Sequence, residues 1–183
     1  MKFSIDGSGW LEDMRREPSA NADDRPDGVE PDLVVLHAIS LPPGEFGGSF
    51  IDDLFCNRLD CSLHPYFDEI RDLKVSAHAL IRRDGTVVQY VPFGRRAWHA
   101  GESRYQDREA CNDFSIGIEL EGDEETPFEE VQYTALAKLI RVLVASYPTL
   151  STEHIVGHSE IAPGRKTDPG PAFDWQRLRE LLG

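Results

Sequence analysis

Short apolar runs, punctuated by glycine and proline, alternate along this chain with a few stretches of helical periodicity. Leu33-Val34-Val35-Leu36 is a continuous apolar run of the length of a buried strand, and it delivers His37 at its end. The glycines and prolines of residues 41–48 mark a loop, and residues 49–56 read as a short helix. Residues 79–83 and 86–91 flank Asp84-Gly85, the pair favoured in a type I′ hairpin turn. Residues 114–121 alternate polar and apolar side chains as a half-buried strand does.

Thr126-Pro127-Phe128-Glu129 offers a capping box with proline at the first helical position. The helix it opens is expected to run to about Ser146, with Val131, Leu136, Leu139, Ile140 and Leu143 on its buried stripe. Tyr147-Pro148 ends it. Ile155-Val156-Gly157 reads as a short strand leading to His158, and Asp174 can cap a last helix carrying Trp175, Leu178 and Leu181. Residues 1–32 are an irregular lead-in lying against the domain, because 12–32 are rich in Pro, Asp, Arg and Asn without periodicity. No repeat or linker interrupts the pattern. It implies one α/β domain over 1–183, a mixed central sheet flanked by helices.

A chain of 183 residues can bury a sizeable core as one domain. Its 40% hydrophobic and 9% aromatic content argues against wholesale disorder. The formal net charge of −14 repels phosphate polymers, which excludes nucleic acid as an expected partner. The N-terminus lacks a basic flank followed by an apolar stretch, and no segment is long enough to cross a membrane. A cytoplasmic protein is expected, with Cys56, Cys61 and Cys111 as reduced thiols. No coiled-coil pattern suggests more than a monomer.

The chemistry concentrates in His158 to Pro171, where His158, Lys166 and Asp168 share one stretch broken by Pro163, Gly164, Pro169 and Gly170. Such a run reads as a shaped loop rather than a regular helix. His37, at a strand end facing a Gly/Pro loop, is the natural companion of His158. His154 lies four residues before His158, which on a strand is roughly 13 Å, too far to share an ion. His64, His78 and His99 are left to packing or substrate contact. Two histidines and a carboxylate, His37, His158 and Asp168, leave a tetrahedral zinc one open position, the arrangement of a catalytic site. Zinc so held brings the pKa of its water to about 7. Glu119 and Glu121, of equal parity on one strand, compete as general base, and Lys166 is a candidate partner for an oxyanion.

The stretches L-H-A-I-S-L-P-P-G-E-F-G-G, V-S-A-H-A-L-I-R-R-D-G, R-A-W-H-A-G, C-N-D-F-S-I-G-I-E-L-E-G and G-R-K-T-D-P-G-P-A-F-D-W occur in one order. Together they resemble the cytoplasmic 1,6-anhydro-N-acetylmuramoyl-L-alanine amidases of bacterial wall recycling, from about Gly9 to Leu182. That family belongs to the zinc amidases, which share their fold with peptidoglycan recognition proteins. The resemblance implies one zinc ion held by His37, His158 and Asp168, with Glu119 as acid/base and Lys166 as the catalytic lysine. Trp98 matches an aromatic of the substrate groove. The implied substrate is a small muropeptide, cut between anhydromuramoyl sugar and L-alanine. Ala38 departs from the asparagine expected after the first ligand, and Lys74 and Ala110 stand where arginines are expected to grip stem-peptide carboxylates. Two further readings share the fold: an amidase of intact peptidoglycan, and a non-catalytic muropeptide-binding module.

Overall fold

The computed structural model describes residues 3–183. The first strands in chain order are β1 (Arg15–Arg16), β2 (Ala22–Asp23) and β3 (Leu33–Ile39), followed by helices α1 (Phe50–Phe55) and α2 (Pro65–Glu69). Next come β4 (Ala79–Ile81), β5 (Val87–Gln89), β6 (Arg96–Ala97), β7 (Arg104–Tyr105), β8 (Arg108–Glu109) and β9 (Ser115–Glu121). The chain ends with α3 (Glu130–Ser146), β10 (Ile155–Gly157), α4 (His158–Ile161) and α5 (Trp175–Leu182). The main sheet has the order β1-β5-β4-β9-β3-β10. Only the β4–β5 hairpin is antiparallel within it, so the sheet is mixed, as the sequence pattern implies.

β9 lies between β4 and β3, and all seven of its residues are buried rather than half of them. A strand with a parallel neighbour on each side and layers on both faces has no solvent face to give its polar residues. Its apolar residues Ile116, Ile118 and Leu120 join α3 and α5 in the larger core. Ser115, Gly117, Glu119 and Glu121 face the opposite way by the two-residue period of a strand. On the sheet's other face α1 and α2 bury Ile51, Leu54, Phe55 and Phe67 against Leu80, Val88 and Tyr90. No helix among the described residues is long and apolar enough to cross a membrane.

Several local expectations are corrected. The strand at 33–36 continues through His37 to Ile39. The long helix starts at Glu130, not at Pro127: Asp123 Oδ1 accepts the amides of Glu125 and Thr126 in a preceding turn. The capping box is formed instead by Glu129 and Gln132. Val131 is exposed, since 3.6 residues per turn set it about 140° around the helix from Leu136, and Tyr133 fills its place in the core. In the hairpin only Gly85 takes a positive φ, so the turn is not type I′; Asp84 keeps its ordinary conformation and accepts the Thr86 amide. The lead-in is less irregular than its composition implies, because β1 pairs with β5 and β2 with β6. His158 opens one short helical turn before the chain becomes loop.

Candidate metal and active site

β3 and β10 are parallel neighbours with Leu36 opposite Gly157, so the next residues, His37 and His158, emerge side by side. Asp168 reaches them by a return of the loop. The Ser159 amide donates to the Asp168 carbonyl at 3.0 Å. Pro169 closes directly onto Gly157, where a Cβ would stand 2.8 Å from the proline Cδ. A side chain at 157 would therefore push the carboxylate away from the histidines.

The three side chains converge. His37 Nδ1 lies 3.0 Å from His158 Nδ1, and Asp168 Oδ2 lies 3.2 and 3.1 Å from these two nitrogens. The corners of a tetrahedral zinc site are about 3.4 Å apart for bonds near 2.1 Å. Proton accounting calls for a positive charge at the centre. His158 Nε2 faces the Ala100 carbonyl oxygen at 3.2 Å, and a carbonyl only accepts, so the ring proton sits on Nε2. In that tautomer Nδ1 carries a lone pair aimed at a carboxylate oxygen, and two acceptors in contact need a positive charge between them, a second proton or a bound cation. Two imidazoles and one carboxylate are a donor set that zinc takes. The residues present fit that metal.

Glu119 is buried beside this cluster, and its Oε2 has no hydrogen-bond partner among the described residues. Burial raises its pKa well above the ordinary value, the Asp168 charge adds to the rise, and Lys166 opposes it. Glu121, of the same parity, has both carboxylate oxygens engaged. Its Oε1 accepts from Arg82 and from the Gly47 amide, and its Oε2 from the Arg83 amide. Arg82 also pairs at 2.9 Å with buried Asp52, which takes the Tyr90 hydroxyl as well. Burial pushes His37 down to about 4 and His78 down to about 3, so both rings are neutral near neutrality.

A cleft of about 700 Å³ opens over the cluster, and Lys166, Trp98, Lys74 and Ala38 all line it. Lys166 and Lys74 are exposed, and Lys74 Nζ donates to Asn57 Oδ1 at 3.1 Å. Ala110 is not part of this cleft; it borders a separate depression with Arg104 and Glu109. His154 is exposed on the surface, and His64 caps α2 by accepting the Tyr66 amide. His78 accepts the Gly117 amide at Nδ1 and donates from Nε2 to the Arg95 carbonyl. His99, left by the sequence to packing or substrate contact, places Nδ1 2.9 Å from His37 Nε2. Gly117 is the signal that could have found it: a glycine inside a strand marks a close approach, here by the His99 ring.

The sequence family of N-acetylmuramoyl-L-alanine amidases matches residues 27–171. Over 174 residues the chain is 60% identical to the 1,6-anhydro-N-acetylmuramyl-L-alanine amidase AmpD of Salmonella typhimurium (strain SL1344), spanning 95% of this chain and 92% of that protein. A crystal structure of a selenomethionine AmpD derivative superposes with a TM-score of 0.94 at 56% identity, covering 98% of this chain and 99% of the other. The amidase AmiD from E. coli was solved with anhydro-N-acetylmuramic acid-L-Ala-D-gamma-Glu-L-Lys. It matches with a TM-score of 0.60 at 30% identity, over 97% of this chain and 65% of AmiD.

Proposed function

The chain belongs to the N-acetylmuramoyl-L-alanine amidase family, and on that premise we propose how its own residues carry out the reaction. It is an anhydromuramyl-L-alanine amidase of peptidoglycan recycling, cutting the amide between 1,6-anhydro-N-acetylmuramic acid and L-alanine of the stem peptide. His37, His158 and Asp168 hold one zinc ion. The observation that carries this reading is the convergence of two ring nitrogens and one carboxylate oxygen at the separations of metal ligands.

When bound, zinc would polarise the scissile carbonyl and make water acidic near neutrality. Glu119 takes the proton of the attacking water and returns it to the departing alanine nitrogen. Burial raises its proton affinity above that of an ordinary carboxylate, which favours its taking a proton from water. Its unpartnered oxygen is free to accept the bond. Lys166, two residues before Asp168 on the rim of the cleft, holds the negative charge that grows on the carbonyl oxygen. Trp98 offers an apolar face to the sugar, and Lys74 a cation to a stem-peptide carboxylate. The substrate is a small free muropeptide met in the cytoplasm, a reading supported by the similarity to AmpD.

The test is cleavage of anhydromuramoyl-tripeptide followed by mass spectrometry, with chelator and then restored zinc. Release of the intact peptide from the sugar, lost on chelation and regained with zinc, is expected. A folded, zinc-loaded protein that leaves the muropeptide whole would overturn the reading.

A further inference from the structure

His37 uses one ring nitrogen, Nδ1, toward the metal position; its other nitrogen is also engaged. His37 Nε2 lies 2.9 Å from His99 Nδ1. His99 Nε2 lies 3.1 Å from Ser115 Oγ, and that hydroxyl lies 2.5 Å from the Cys111 carbonyl oxygen. The protons of this chain can be assigned from its far end. A carbonyl only accepts, so the Ser115 hydroxyl donates to Cys111 and its oxygen accepts from His99 Nε2–H. A neutral imidazole has one N–H, so His99 Nδ1 carries a lone pair and accepts from His37 Nε2–H. The lone pair of His37 is thereby left on Nδ1, facing His158 and Asp168.

The surroundings hold His99 in this position. Its ring lies flat on β9 at Gly117, where any Cβ would stand 2.3 Å from the His99 Cγ. Its backbone is clamped by Asn112, whose Oδ1 accepts the amides of both His99 and Ala100, at 3.0 and 2.8 Å. Ala100 in turn presents the carbonyl that faces His158 Nε2. Two adjacent residues therefore serve both histidines, one by its side chain and the other by its backbone.

We propose that His99 is a positioning residue of the metal site, fixing with Ser115 the tautomer and ring orientation in which His37 can bind a cation. This rests on the zinc reading above. Partners that orient a ligating histidine typically change metal affinity about 10- to 100-fold when removed. His99 touches neither the metal position nor the substrate amide in this role; it acts through His37.

The experiment compares zinc affinity, by chelator competition on the full chain, for the unaltered protein, His99→Phe and His99→Asn. His99→Phe keeps the ring and removes the acceptor, and about 10- to 100-fold weaker zinc binding is expected. His99→Asn restores an acceptor near the Nδ1 position and should recover part of that loss. A folded His99→Phe protein that binds zinc as tightly as the unaltered one would overturn the proposal alone; an unaltered protein that does not bind zinc would overturn the zinc reading with it. The tautomer gives a second test that needs no variant. Two-bond proton–nitrogen NMR spectra of the metal-stripped chain should show His37 protonated on Nε2, and protonation on Nδ1 would refute the assignment.

Discussion

Glu119 stands opposite His37 in the parallel register of β9 and β3, so the proposed base and a proposed ligand leave the same sheet face from adjacent strands. Glu121 leaves that face two residues further on, opposite Ile39, and there it meets Arg82 instead. One strand thus carries two buried carboxylates with separate fates. The first is kept without a partner at the cleft; the second is neutralised and hydrogen-bonded as a structural anion.

The loss of an oxyanion donor typically costs about 100- to 1000-fold in rate. Lys166→Ala should therefore slow turnover by about that factor while zinc stays bound, because the lysine is not among the converging donors. Steady-state kinetics with metal analysis on the same sample checks both halves. Unchanged turnover would remove Lys166 from the mechanism.

Burial raises the Glu119 pKa above its ordinary 4.5, so the native state holds this proton more tightly than the unfolded chain. The stability it contributes is complete below about pH 4.5 and is lost as pH rises through the raised native pKa. Glu119→Gln cannot ionise and escapes that loss. In the metal-free protein its melting temperature should match the parent near pH 4 and exceed it at pH 8. A gap that is constant with pH would contradict the buried-carboxylate account.

Arg82 lies between Asp52 and Glu121 with its side chain nearly enclosed. Removing one partner of a buried ion pair strands the other and costs about 3–5 kcal/mol. Asp52 keeps Tyr90 and Arg15, and Glu121 keeps two backbone amides, so the lower end of that range is expected for Arg82→Met. Urea unfolding gives the value directly, and a loss under about 1 kcal/mol would show that the remaining partners suffice.

Lys74 reaches the cleft but not the converging donors. Lys74→Ala is expected to raise KM for a muropeptide with a free stem carboxylate and to leave kcat nearly unchanged, the signature of lost uniform binding. Lys74→Arg adds a planar fork for that carboxylate and should lower KM. If Lys74→Ala lowers kcat instead, the side chain contributes to the chemical step.

The central strands were legible in the chain because β3 and β9 are continuous or alternating apolar runs, and hydrophobic periodicity is local information. The candidate donors His37, His158 and Asp168 were legible for a related reason: two follow short apolar runs and the third sits in a loop that proline and glycine forbid from being regular. Parity left Glu119 and Glu121 level and the family resemblance favoured Glu119; only the tertiary structure shows how their surroundings differ, because Arg82, 37 to 39 residues away in sequence, reaches Glu121 alone. It also moved Ala110 out of the cleft and drew His99 against His37 from 62 positions away. Periodicity reports which face a side chain takes; which atom it meets there depends on strand order and register, and those are set by the packing of the whole chain.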